Sequence, residues 1–281
     1  HLIFNDPFVV GDVPVTDALD ADPDTINSRS MSALAQVPVM PQISPAMRDL
    51  YVRGLELGNQ PAVITKIGDS VSDSPVFLGA LNADEHEFGP HADLAETVAF
   101  FQPAEVSVAS RIGMTTYVIF DPLWADGDLC EPNEAPLTCE LRRTQPSVAF
   151  VLFGPNDVRA MDDVQFTTQM TQIVEQTLDA GVIPVLITYS IDAEDGLLLQ
   201  GIQFNLRLTE LAEEYEVPLI NYWLAAQDLP ENGLDQDDVH LTHSGFINMT
   251  YTTGHEAYYG MSLLNLLVAR LLDDLRVTLA M

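Results

Sequence analysis

The sequence predicts an α/β protein, a parallel β-sheet covered by helices on both sides. Three observations lead there. Apolar runs of strand length alternate with segments that repeat apolar residues at helical spacing. Two of these runs, Ser147-Val148-Ala149-Phe150-Val151-Leu152-Phe153 and Val182-Ile183-Pro184-Val185-Leu186-Ile187-Thr188, are almost continuous, as strands buried on both faces are. Hydrophobic residues make up 47% of the 281-residue chain, enough for a sizeable core and more than disordered acidic chains carry.

The elements follow in order. Residues 1 to about 44 are rich in Pro and Asp without lasting periodicity and read as an irregular arm. Asp20-x-Asp22-x-Asp24 within it resembles the start of a calcium loop, but such a loop wants Gly sixth and Glu twelfth, where Thr25 and Met31 stand. A helix begins at Ser44-Pro45, carries Met47, Leu50, Tyr51, Leu55 and Leu57 on roughly one face, and stops at Gly58-Asn59. Residues 1–60 are thus expected as an arm plus one helix packed on the core, and 61–281 as the main domain. In that domain Ala62–Ile67 is the first strand and Glu105–Ala109 the second. Ser147–Phe153 is the third. Asp162-Asp163 opens a helix with Phe166, Met170, Ile173, Val174 and Leu178 inward, closed by Gly181. After the strand Val182–Thr188, a helix is marked by Ile202, Leu206, Leu208, Leu211, Ala212 and Tyr215, then Val217–Ile220 is a short strand. A leucine-rich helix from about Glu256 to Val277 is expected to pack on the core.

Composition excludes several functions. The chain holds 42 acidic and 11 basic residues, a formal charge of −31, which repels phosphate backbones and anionic lipid and argues against nucleic-acid binding. Lys66 is the only lysine. No apolar run approaches the ~18 residues of a membrane span. The start His1-Leu2-Ile3-Phe4 reads as a processed or trimmed product, and the acidic surface as that of an exported protein kept in solution by repulsion, a salty habitat being the other reading. Cys130 and Cys139 lie in one polar loop. Paired, they close a short Pro-containing loop and imply an oxidising compartment; two unrelated thiols is the other reading. A zinc site would need further His or Cys partners, which the loop lacks.

In open parallel sheets ligands sit beyond the carboxyl ends of the strands, and three polar clusters fall there. Gly68-Asp69-Ser70-Val71 follows the first strand. A serine at a strand-to-helix turn exposes its hydroxyl at the sheet edge, and its own amide points where negative charge is favoured. Gly154-Pro155-Asn156-Asp157 follows the third, and the Asn side chain offers uncharged donors to a developing oxyanion. Asp237-Asp238-Val239-His240 places a carboxylate where it can hold one imidazole nitrogen and leave the other as a base. Each cluster alone is as readily a cap, a turn or a solvated loop. Their conjunction, in this order, is the informative feature.

On these residues the chain resembles the SGNH hydrolases, the GDSL-type esterases and lipases. The Gly-Asp-Ser block matches Gly68-Asp69-Ser70, the Gly-x-Asn-Asp block Gly154–Asp157, and the Asp-x-x-His block Asp237–His240, so the resemblance covers roughly residues 61 to 255. It implies a three-layer α/β/α, flavodoxin-like architecture and a serine esterase working through an acyl-enzyme, without cofactor or metal. Ser70 would be nucleophile, His240 base, Asp237 its orienting partner, and Asn156 an oxyanion donor beside the Ser70 amide. The family's remaining block supplies a glycine amide, usually in an Asn-x-Gly setting. Here Ser110-Arg111-Ile112-Gly113 is the best match, so Gly113 would complete the oxyanion hole, with Gly79 and Gly89 as weaker rivals. Ser72 and Ser74 are lesser candidates for nucleophile, and Asp235 and Asp238 for the acid. His243 lacks an acid three residues before it, and His86, His91 and His255 are expected at the surface.

Substrate is less determined. Long polar insertions suggest a rim over the site, Tyr117 and Trp124 have faces that can stack on sugars, and the negative field disfavours anionic substrates. The expected substrates are short-chain or O-acetyl esters of neutral, carbohydrate or other small-molecule alcohols. A catalytically silent surface or carbohydrate-binding module is the competing expectation, and a thioesterase or lysophospholipase a third.

Overall fold

The computed structural model describes residues 23–83, 85–192, 196–245 and 249–281. At its centre lie β1 (Gln60–Gly68), β2 (Gln102–Pro103), β3 (Pro146–Leu152), β4 (Ile183–Ile187) and β5 (Leu219–Ile220), all parallel in the order β2-β1-β3-β4-β5. This is the flavodoxin-like order. Every residue of β3 and β4 is buried, which explains their nearly unbroken apolar runs.

Helices cover both faces. α1 (Pro23–Leu34), α2 (Ala46–Glu56), α3 (Ser70–Asp73), α4 (Ala95–Phe100), α5 (Pro136–Thr144), α6 (Asp163–Asp179), α7 (Leu198–Glu214), α8 (Tyr222–Ala225) and α9 (Gly260–Leu279) are interspersed with 3-10 turns. α9 packs on α2 and α4, while α5, α6, α7 and α1 form a second contiguous group. Together they enclose the sheet in a three-layer α/β/α arrangement. No described helix is long and apolar enough to cross a membrane.

Several expectations are corrected. Residues 23–34, expected as irregular, form α1, and the buried Asn221 donates to the carbonyls of Leu34 and Val37, both at 2.9 Å, so this segment is fastened to the sheet edge. Asp20, Asp22 and the chain start lie outside the described residues. In α2, Met47, Leu50 and Tyr51 are buried, whereas Leu55 and, just beyond the helix, Leu57 face solvent, because the buried stripe continues through Gly54, packed on Gly181. The last helix starts at Gly260, after a separate turn at His255–Ala257.

The second strand is not Glu105–Ala109. Pairing with β1 stops after Ile64↔Pro103 and resumes only at the bridge Gly68↔Ser110, so four steps along β1 face seven along its partner. In between, side chains replace the ladder: Ser107 Oγ donates to the Lys66 carbonyl (2.7 Å) and the Val108 amide to Glu140 Oε2 (2.7 Å). The surplus residues loop outward, leaving Val106 57% exposed.

Candidate active site

The strand order reverses between β1 and β3, and at that switch point the first two polar clusters meet. Gly68 admits no side chain, since a Cβ would lie 2.2 Å from the Leu152 carbonyl oxygen and from Ser72 Oγ. That close approach turns the chain sharply into α3. Asp69 caps this short helix, accepting the Val71 amide at 3.0 Å, and presents Ser70 half-buried at the sheet edge.

His240 arrives from the far side on a loop whose ends are pinned together by the Leu234↔Leu241 bridge and the Asp235 amide to the His240 carbonyl, 2.8 Å. Inside the loop, Asp237 Oδ1 accepts the amides of Val239 (3.1 Å) and His240 (2.9 Å), and Asp238 takes a left-handed φ of 57°. This folds the imidazole back over Asp237. His240 Nδ1 lies 2.5 Å from Asp237 Oδ2, and Nε2 lies 2.8 Å from Ser70 Oγ. Burial alone would push the Asp237 carboxyl up, but the bonds from the His240 ring and the two amides outweigh it and hold it at about 2. An ionised Asp237 only accepts, so in the neutral imidazole Nδ1 carries the hydrogen and Nε2 accepts the Ser70 hydroxyl. The row can pass a proton from oxygen to ring without rearrangement.

Asn156 follows β3. Gly154, at φ 139°, lets Tyr189 pack where a Cβ would lie 1.9 Å from its ring. Asn156 Nδ2 donates to the Met114 carbonyl at 3.2 Å, which leaves its second N–H to bond elsewhere. Gly113 sits one residue before Met114, in a turn closed by Met114 N to Arg111 O (3.0 Å), at a left-handed φ of 78° with open space where a side chain would project.

The rival residues are placed apart. Ser72 is fully buried beneath the site, with its hydroxyl toward the Leu152 carbonyl, and Ser74 Oγ accepts the Val76 amide. Asp235 accepts the Gln236 amide, and the His243 ring accepts from Gly245. Gly79 and Gly89 lie in 3-10 turns before β2. His91, expected at the surface, is largely buried: Arg270 donates to its Nδ1 (2.9 Å) and Glu256 lies 3.3 Å from its Nε2. His86 is also partly buried, and burial lowers its pKa.

Three carboxylates beneath the site carry no role in the sequence reading. Asp69 is fully buried, and desolvation, opposed by the Val71 amide and reinforced by the nearby charge of Asp157, pushes it from 3.8 up to about 7. Asp157, whose pKa burial also raises, accepts the Thr116 amide (2.7 Å) and hydroxyl (2.6 Å). The Oδ2 atoms of both are buried without a hydrogen-bond partner. Glu140, again raised by burial, accepts from the Thr65 hydroxyl and the Val108 amide, tying β1 to the looped second-strand segment. Asp69 and Asp157 stand inside the matched blocks and could have been read as more than spacers. Glu140, beside Cys139, has no local signal. Cys130 and Cys139 are bonded to each other, and within their loop Glu134 accepts Arg142 in a two-point bridge, both at 2.7 Å.

Residues 67–246 match the model of the GDSL-like lipase/acylhydrolase family, spanning all three clusters. The chain belongs to that family. Among solved structures it is similar to a lipase/acylhydrolase from Enterococcus faecalis (19% identity, TM-score 0.50, 74% of this chain and 93% of that one). It also matches a GDSL-like lipase from Bacteroides thetaiotaomicron (15% identity, TM-score 0.48, 81% and 98%) and the psychrotrophic esterase EstA from a Pseudoalteromonas species (17%, 0.45, 78% and 100%). No curated protein matches. GDSL membership makes the chain a hydrolase of the esterase and acylhydrolase kind.

Proposed function

We propose that this GDSL hydrolase is a serine esterase that removes short acyl groups, acetyl foremost, from neutral alcohols through an acyl-enzyme on Ser70. The observation that carries this reading is the continuous row Asp237, His240, Ser70, with contacts of 2.5 Å and 2.8 Å.

His240 Nε2 takes the hydroxyl proton as Ser70 Oγ bonds to the ester carbonyl carbon, and the carbonyl electron pair moves to oxygen. The Ser70 and Gly113 amides and the Asn156 side chain receive that oxyanion. Collapse re-forms the carbonyl and breaks the bond to the alcohol, which leaves with the proton from the imidazolium. Water then repeats the sequence, releasing the acid and restoring Ser70.

A small cleft lies between Pro155, next to Asn156, and Val239, next to His240. Its other walls include Val158, Tyr189 and Ile191, and it holds about 10 Å³. That is no more than the ~10–15 Å³ that one water needs, so a long acyl chain finds no room there unless the walls move. This favours an acetylesterase over a lysophospholipase or long-chain thioesterase. The Cys130–Cys139 bond and the charge of −31 support an extracytoplasmic setting.

The test is a 4-nitrophenyl ester series of increasing chain length, together with a fluorophosphonate probe. The reading requires covalent capture at Ser70, loss of both signals in Ser70→Ala, and a fall in kcat/KM beyond acetate or propionate. A folded protein that neither reacts with the probe nor turns over acetate is the silent module instead.

A further inference from the structure

Beside the proposed oxyanion hole lies a groove of about 330 Å³, lined by Thr115, Tyr117, Ala160, Met161, Gln165 and Gln169. Its size is at the lower end of the ~300–1,000 Å³ common for ligand pockets. Its walls continue directly from the site. Thr115 lies two residues past Gly113, so their Cα atoms are at most about 7 Å apart, and Ala160 lies four residues past Asn156.

The walls are held together by Thr116, whose amide and hydroxyl both bond Asp157 Oδ1 (2.7 and 2.6 Å), while its hydroxyl also contacts Met161 Sδ at 3.5 Å. Gln200 fixes the Met161 carbonyl at 2.7 Å. The groove is therefore formed before any ligand arrives.

Its chemistry is unusual for this chain. With 42 acidic residues in 281, charge is the default surface, and other clefts carry it: Asp163, Glu175, Arg207 and Glu210 line one, Arg142 and Asp179 another. This groove contains none. Tyr117, 65% exposed, Met161 and Ala160 offer apolar surface, and Gln165 and Gln169 sit one helical turn apart on α6. Among the described residues, the two Gln amides and the Thr115 and Tyr117 hydroxyls hydrogen-bond to no protein group. A flat apolar surface bordered by neutral donors and acceptors is complementary to a sugar ring, with its C–H faces and hydroxyl edge. It offers no positive charge to a phosphate or a uronate.

We propose that this groove binds the alcohol side of the ester and that this alcohol is a neutral sugar unit. The proposal rests on the esterase reading of Ser70 and adds to it the substrate class.

Three measurements test it. Hydrolysis of 4-nitrophenyl acetate by the wild type and Ser70→Ala tests the esterase reading alone. The ratio of kcat/KM on acetylated xylooligosaccharides to that on 4-nitrophenyl acetate tests the groove: Tyr117→Ala and the double variant Gln165→Ala/Gln169→Ala should each lower it at least tenfold, through KM. Binding of unacetylated xylooligosaccharides to Ser70→Ala, followed by calorimetry or saturation-transfer NMR, needs no turnover and should be lost with the same groove substitutions. All three positions are at least partly exposed, and circular dichroism checks that the variants fold.

Failure on 4-nitrophenyl acetate with groove-dependent sugar binding overturns the esterase and keeps the sugar site. An active esterase whose ratio is unchanged by both groove variants, or that ignores the acetylated sugars, overturns the sugar site. Stimulation by neutral phosphatidylcholine vesicles without sugar binding overturns it in favour of a lipid surface.

Discussion

Asp69 makes the fold's stability depend on pH in a direction that one substitution can isolate. Its carboxyl is wholly buried under Ser70, and burial raises it from 3.8 to about 7. Between those values the folded protein keeps a proton that the unfolded chain has released. The contribution is therefore complete below about pH 4 and is lost as pH rises through 7. At about 1.4 kcal/mol per tenfold change, the full window amounts to about 4 kcal/mol, and the interval from pH 5 to 8 to about 3 kcal/mol. Asn has the same shape, its Oδ1 can still accept the Val71 amide, and it has no charge to gain. Asp69→Asn should therefore flatten the decline by about 3 kcal/mol between pH 5 and 8. Urea unfolding at each pH, followed by the fluorescence of Trp124 and Trp223, measures this. Repulsion among the other acidic groups tilts both proteins alike, so the difference between their slopes is the readout. Parallel slopes would refute the claim that Asp69 is protonated in the native state near neutrality. Kinetics provide a second reading. Ionising Asp69 places a negative charge beneath the proposed oxyanion hole, so esterase activity should weaken above pH 7 in the wild type and less so in Asp69→Asn.

Asn156→Ala should lose roughly 100- to 1,000-fold in kcat on an activated acetate ester while Ser70→Ala loses nearly all activity; equal residual rates count against the assigned roles. Glu140→Ala leaves the buried Thr65 hydroxyl and Val108 amide without acceptors, at about 1–3 kcal/mol each. Its melting temperature should fall by more than about 5 °C, and a shift within error removes Glu140 from the argument. Replacing Cys130 and Cys139 by Ser opens a loop of sequence separation nine and should cost about 3 kcal/mol by denaturant titration; the wild type under dithiothreitol should show the same loss, and no loss means the loop is held by the Arg142–Glu134 pair instead.

The parts of the molecule legible in the sequence are those where one local rule suffices. β3 and β4 announce themselves as continuous apolar runs because both faces are covered. α6 is marked by the cap at Asp162 and the inward repeat from Phe166 to Val174. The residues of the Asp237–His240–Ser70 row are legible because each directly follows a strand or sits in a self-contained turn: Asp69 caps the helix that Ser70 opens, and Asp237 binds the amides of its own loop. Where long-range partners decide, local reading fails. α1 has weak periodicity and owes its attachment to Asn221, nearly 190 residues away. His91 carries no local sign of its burial because Arg270 and Glu256, which enclose it, come from the far end of the chain.

The second strand shows this most clearly, and it governs where Gly113 sits. Glu105–Ala109 has strand composition, but strand composition describes a half-buried pleated surface and fixes no register. Register here is set by groups that composition does not weigh: Ser107 bonding the Lys66 carbonyl, and Glu140, from beyond the disulfide loop, taking the Val108 amide. These contacts absorb three surplus residues before pairing resumes at Ser110. The position of Gly113 therefore depends on a carboxylate that follows it by 27 residues, together with the Asn156 and Asp157 contacts that pin Met114 and Thr116 on its other side. It follows that a Glu140 variant that still folds should show damage in kcat, through a misplaced Gly113 amide, beyond what its loss of stability accounts for. Unchanged kcat in a folded Glu140→Gln protein would mean that the contacts to Asn156 and Asp157 alone hold the turn.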